Sequence, residues 1–135
     1  MRIKMKQDDL INKYRFIKYP IECEDGWIPL IDSMCKEIKD YIHNNYPELE
    51  YDQEFYFTQI KEKYGRLTCY LTFSVGDILE IIDKYEEESR NVCEICGYYG
   101  QIREINGWYQ TLCDKDYSLK LKNEHLKRLI GVDIE

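Results

Sequence analysis

The chain has 135 residues, is 44% hydrophobic, 14% aromatic and 33% charged, and carries a formal net charge of −7. A chain of this length suits one compact domain, or a small domain with a metal-stapled appendage. It contains no apolar run near the ~20 residues of a membrane span, and its start, MRIKMKQDDL, lacks the apolar stretch of a secretory signal, so a cytoplasmic protein is expected.

The charge is unevenly spread: net +4 over 1–19, −12 over 20–114 and +1 over 115–135. An acidic middle repels a phosphate backbone, which argues against general nucleic-acid binding. Residues 1–20 read as an arm of charged and aromatic residues ending at Pro20, and 21–26 as a loop. A helix is expected from Ile28 to His43, where Leu30, Ile31, Met34, Cys35, Ile38, Tyr41 and Ile42 recur at three-and-four spacing. Pro29 fits its first turn, where a missing N–H costs nothing, and Asn44, Asn45 and Pro47 end it.

Two strand-like runs follow, Glu54–Ile60 and Arg66–Phe73. In the second, Leu67, Cys69, Leu71 and Phe73 alternate with polar or aromatic residues, and the linker KEKYG carries a turn glycine, so an antiparallel hairpin is expected. A second helix spans roughly 76–90, with Ile78, Leu79, Ile81, Ile82 and Tyr85 on its core face and Ser74-x-x-Asp77 as a capping box. The two helices are expected to cover one face of a small sheet. The fold class read from this pattern is α+β, with an arm (1–20), an α+β domain (21–91), a zinc-ribbon-like module (92–117) and a C-terminal helix and tail (118–135).

The module rests on its cysteines. The cytosol keeps thiols reduced, so six cysteines here do not read as disulfides. Cys93-Glu94-Ile95-Cys96-Gly97 has the form of a zinc knuckle: two thiolates two residues apart reach one ion, and the glycine turns the chain back toward the sulfurs. Gln101–Glu104 and Trp108–Leu112 flank Asn106-Gly107, a strong hairpin signal, before Cys113 and Asp116. Knuckle, hairpin and second knuckle is the order of a zinc ribbon holding a structural zinc ion (Zn2+) on Cys93, Cys96, Cys113 and a fourth group. Asp116 stands where a second C-x-x-C would place a cysteine; His125, Cys23, His43 and a water are the other candidates. Small buried thiols explain Cys35 and Cys69, on apolar faces, but explain the 93/96/113 set poorly. A redox dithiol would open a helix after a strand, which this C-x-x-C does not.

Trp27-Ile28-Pro29-Leu30-Ile31 before the Cys35-bearing helix, Gln59 to Leu67 (QIKEKYGRL), Cys93-x-x-Cys96-Gly97, and Gly107 to Asp114 (GWYQTLCD) together resemble a family of small uncharacterised proteins from bacteria and their phages, over roughly residues 25–117. Family members usually carry Cys or His where this chain has Asp116. The resemblance implies the fold and the metal, and points to a small phage or mobile-element effector acting on a host component.

No nucleophile elbow, P-loop, dinucleotide fingerprint, H-E-x-x-H or zinc-deaminase pattern occurs, and only His43 and His125 offer imidazoles, so catalysis is not expected. The function expected is a zinc-stabilised, non-catalytic binding protein that modulates or inhibits a host protein such as a defence component. Tyr98, Tyr99, Trp108 and Tyr109 are its candidate contact residues, because aromatic anchors dominate interface energy. A homodimer through a strand edge fits the same pattern. One alternative is a nucleic-acid-binding zinc ribbon using Lys115, Lys120, Lys122, Lys127 and Arg128. The other is a sponge for a signalling nucleotide, in a tyrosine-lined pocket between the first long helix and the sheet with Lys61, Lys63 and Arg66 at its mouth.

Overall fold

The computed structural model describes residues 5–131 and is α+β: four helices and two separate two-stranded antiparallel sheets. Helix α1 (Gln7–Lys13) leads into helix α2 (Ile28–Asn45), which buries Ile28, Ile31, Met34, Cys35, Ile38 and Ile42 along the stripe its periodicity dictates. Strands β1 (Phe57–Lys63) and β2 (Arg66–Leu71) form the first hairpin, with Ile60 opposite Cys69 and Lys63 opposite Arg66. Strand β1 starts later than the sequence pattern implies. The Asp52 carboxylate accepts the Glu54 N–H at 2.9 Å, turning the chain before Phe55.

Helix α3 (Ile78–Glu88) packs Ile78, Ile81 and Ile82 inward against α2 and β2. The expected capping box does not form. The Tyr41 hydroxyl accepts the Asp77 N–H at 2.9 Å instead, and the Ser74 hydroxyl is buried without a hydrogen-bond partner. Strands β3 (Gln101–Ile105) and β4 (Trp108–Leu112) make the second hairpin, and helix α4 (Asp114–Ile130) ends on Gly131 in the left-handed conformation. No helix of the described residues is long and apolar enough to cross a membrane.

Of the stretch read as an arm, residues 1–4 lie outside the described residues and the rest is built into the core. Leu10, Tyr14, Phe16 and Ile17 are buried, and Phe16 meets Phe55 and Phe57 edge-on. The chain from Ile17 to Glu22 runs parallel to β1, the Glu22 N–H donating to Ile60 and the Glu62 N–H to Glu22. On the far side, the Leu67 and Cys69 N–H groups of β2 donate to Ser89 Oγ and Glu86 Oε2 of the α3 end, each at 2.9 Å. Both flanks of the first hairpin are thereby occupied by its own chain, which manages the unpaired edges.

Candidate metal centre

The centre is assembled from two backbone turns. In the first, Cys93 N–H donates to the Tyr98 carbonyl at 2.7 Å and Gly97 N–H to the Cys93 carbonyl at 2.9 Å, folding Cys96 back toward Cys93. The Tyr98 backbone N–H points at the Cys96 sulfur. In the second, Cys113 is the N-cap of α4 and its sulfur accepts the Asp116 N–H at 3.4 Å. A helix start supplies unpaired N–H groups and the positive end of the macrodipole, which favour negative ligands there.

These turns bring Cys93, Cys96, Cys113 and Asp116 together, with one ligand atom from each lying within 4.8 Å of all the others, close enough to hold a metal ion. The Cys96 and Cys113 sulfurs are 3.7 Å apart, and Asp116 Oδ2 lies 3.3 Å from the Cys93 sulfur and 3.2 Å from that of Cys113. Burial and the neighbouring thiols push Cys96 up to about 12, against the pull of the Tyr98 N–H. Burial likewise raises Cys113. Burial also works to raise Asp116, but the thiols of Cys113, Cys93 and Cys96 donating to it outweigh that and leave its carboxyl below the ordinary value.

Of the other candidate ligands, none joins this group among the described residues. His43 Nδ1 pairs with Glu50 Oε1 at 2.6 Å, and His125 is exposed on α4. Cys23 is half-buried beside the core, with its thiol pushed up by burial and by Glu94. Cys93 is fully buried, whereas Cys96, Cys113 and Asp116 border a hollow of about 520 Å3 flanked by Tyr98, Tyr99 and Lys115.

The knuckle is fused to the first region. Gly26 N–H donates to the Glu94 carbonyl at 2.7 Å, and a Cβ on Gly26 would run into the Cys93 and Glu94 carbonyls, so only glycine allows the approach. Trp27 Nε1 donates to the Val92 carbonyl at 2.8 Å. Glu94, one residue beyond Cys93, is buried and turned toward Glu24 N–H (3.0 Å) and Gln110 Nε2 (2.9 Å). Burial raises its pKa against those two donors. Arg103 was not anticipated at all: it donates to Asp114 at 2.7 Å and to the Leu112 carbonyl at 3.1 Å, and lies over the Tyr117 ring, fastening the first turn of α4 to the hairpin. A basic residue paired through space with a helix start has no local sequence signal.

The four candidate contact aromatics fall into two groups. Tyr98 and Tyr99 flank the hollow over the ligands, while Trp108 and Tyr109 lie at the other end of the hairpin, beside Tyr64. Among the described residues, Lys61, Lys63 and Arg66 do not line the hollow beside α2, and Lys63 borders the one between the two turn tips. Arg66 is held by Asp83 and Glu87 at 3.4 and 3.0 Å, and the hollow beside α2 is lined by Tyr14, Phe16, Ile42, His43, Glu50 and Tyr51 among others, with none of the three. Compared with known proteins, the chain matches no family model, no curated protein and no solved structure.

Proposed function

We propose that the protein is a zinc-stapled, non-catalytic binding protein. The observation that carries the metal is the mutual proximity of three thiols and one carboxylate on two facing turns. Zinc is the ion this donor set favours, because thiolate-rich tetrahedral sites select it over harder cations. Tetrahedral zinc at ~2.3 Å from each sulfur and ~2.0 Å from oxygen separates sulfurs by about 3.8 Å and sulfur from oxygen by about 3.5 Å. The distances of 3.7, 3.3 and 3.2 Å need only tenths of an ångström of adjustment. Four protein ligands leave no open position, which supports a structural role for the ion over a hydrolytic one.

The support for binding another protein is the exposure of Tyr98, Tyr99 and Trp108 on a stapled platform, at 63, 70 and 68%. The target class, a host protein modulated by a phage or mobile-element effector, rests on the family resemblance. Against the nucleic-acid alternative stands the net charge of −7, and Lys120 and Lys127 share their cleft with Glu24, Glu124 and Arg103.

Native mass spectrometry of protein purified without added metal tests the proposal. One zinc per chain is expected, lost on treatment with a chelator. A folded, metal-free protein would overturn it.

A further inference from the structure

Both hairpins close on the same arrangement, Glu62-Lys63-Tyr64-Gly65 and Glu104-Ile105-Asn106-Gly107. In each, the glutamate carboxylate accepts the glycine N–H, at 2.7 and 2.6 Å, and both central residues have positive φ (53° and 81°; 54° and 81°). A two-residue turn of this kind favours Asn-Gly, and the second hairpin uses that pair. The first places a tyrosine in the left-handed region, where a bulky side chain costs on the order of 1 kcal/mol. Burial does not offset that cost, because Tyr64 is 75% exposed. A strained and exposed aromatic at a turn tip is a residue choice that folding does not explain.

The tip is held in one place. Thr111 Oγ1 donates to the Gly65 carbonyl at 2.6 Å, and a Cβ at Gly65 would meet the Ile102 side chain. Tyr64 therefore stands beside Trp108 and Tyr109 around a hollow of about 200 Å3 that Glu62, Lys63 and Gly107 complete. Among the described residues, none of these three rings stacks on another ring or carries a cation over its face. At the hollow itself Glu62 and Lys63 balance, and both tips belong to the segment 20–114 with net charge −12.

Open π faces beside carboxylates attract a cation, above all a planar guanidinium that stacks and pairs at once. The same charge opposes a phosphate backbone and a second copy of this face. Deepening the protein-binding reading, on which this rests, we infer that the paired turn tips are a docking surface for an arginine-bearing segment of a protein partner. The guanidinium enters between Tyr64 and the Trp108–Tyr109 pair and is met by Glu62.

The test uses the full chain with its zinc content measured beforehand. It is titrated with a short glycine-rich peptide whose only charges are two arginines, and with the same peptide carrying citrulline, which keeps the shape and removes the charge. Tryptophan emission reads the face. Trp27 is fully buried and hydrogen-bonded, so a change in emission reports Trp108.

A saturable change is expected with the arginine peptide, weakening as salt is added. It should be about tenfold weaker or lost with the citrulline peptide, and equally so in Tyr64→Asn, which keeps the turn chemistry and should melt no lower than the parent. Equal binding of the citrulline peptide, equal binding by Tyr64→Asn, or no saturable change would overturn the inference. Self-association that Tyr64→Asn abolishes would instead assign the face to a second copy, and saturable binding of oligothymidylate would assign it to single-stranded nucleic acid; either result overturns the inference too. Failure in zinc-loaded protein removes only this docking surface, whereas folded protein without zinc removes the reading beneath it.

Discussion

The two hairpins use the same turn design and are supported in opposite ways. The first lies on an apolar floor: Phe57, Ile60 and Leu67 are buried with α2 and α3, and its edges are taken by residues 17–22 and by Glu86 and Ser89. The second has no buried residue on β3, and on β4 only Gln110, Thr111 and Leu112 are buried. It is held by the four-ligand cluster at one end, by Glu94 from beneath and by Thr111 reaching to Gly65. An isolated two-stranded hairpin is marginal in water. Hydrophobic burial meets that deficit in one case, and polar ties around a candidate ion meet it in the other.

The largest expected effect breaks the second support alone. Cys113→Ser removes a ligand while leaving a residue that can still cap α4, and because the free energy of metal binding is folding free energy in such modules, the melting temperature should fall by more than ~10 °C. Hydrogen exchange locates the loss. Amides of 101–112 should lose protection while those of 57–71 keep most of theirs. Equal loss in both hairpins would mean that the contacts Gly26–Glu94 and Thr111–Gly65 couple the two supports into one.

The converse experiment opens a cavity under the first hairpin. Leu67 is fully buried, so Leu67→Ala should cost about 2–4 kcal/mol in denaturant unfolding. Zinc stoichiometry by native mass spectrometry should not change. A variant that also loses metal would show that the centre depends on the apolar floor for its geometry.

How far this division was legible from sequence follows the same line. The 3.6-residue stripe of α2, the alternation of β2 and the Asn106-Gly107 turn are local patterns, and each produced its element. The C-x-x-C, Cys113 and Asp116 were legible because ligand spacing is local too. What escaped are contacts between distant segments: Gly26 against Cys93 and Glu94, Arg103 on Asp114, Tyr64 brought to Trp108. The burial of Tyr14 and Phe16 in the N-terminal stretch escaped because its charged residues dominate the local composition, although Arg15 spends its guanidinium on the carbonyls of Leu49, Glu50 and Asp52. The place of Glu94 belongs with these, because only the tertiary structure turns its carboxylate toward the Glu24 N–H and Gln110.

A smaller effect comes from exchanging the two turns' residues. Tyr64→Asn should stabilise by several tenths to about 1 kcal/mol, and Asn106→Tyr should destabilise by about 1 kcal/mol or somewhat more. The second cost is larger because Asn106 also bonds Glu124 at 3.1 Å and Arg128 at 2.6 Å, tying the turn to α4. Denaturant midpoints of the two single variants measure both. If Tyr64→Asn proved destabilising, the tyrosine would be serving the fold and not a partner.

The smallest effect lies beneath the first hairpin, where α2 and α3 are joined by Glu37. Its carboxylate accepts from Lys84 Nζ at 2.7 Å and from the Tyr85 hydroxyl at 2.8 Å, and these two donors, Lys84 first, hold its pKa below the ordinary carboxylate value against a weak opposing effect of burial. A carboxyl depressed by folding contributes stability above its unfolded pKa and loses that contribution as the pH falls through its folded pKa. Glu37→Gln should therefore lower stability near neutral pH by a few tenths of a kcal/mol, the range of exposed pairs, and leave it nearly unchanged at strongly acid pH. The measurement is the difference between the two proteins' unfolding free energies from pH 7 down to pH 3. A difference that persists at the acid end would mean that Glu37 acts through packing or a neutral hydrogen bond to Tyr85, and that the α2–α3 contact owes its stability to shape more than to charge.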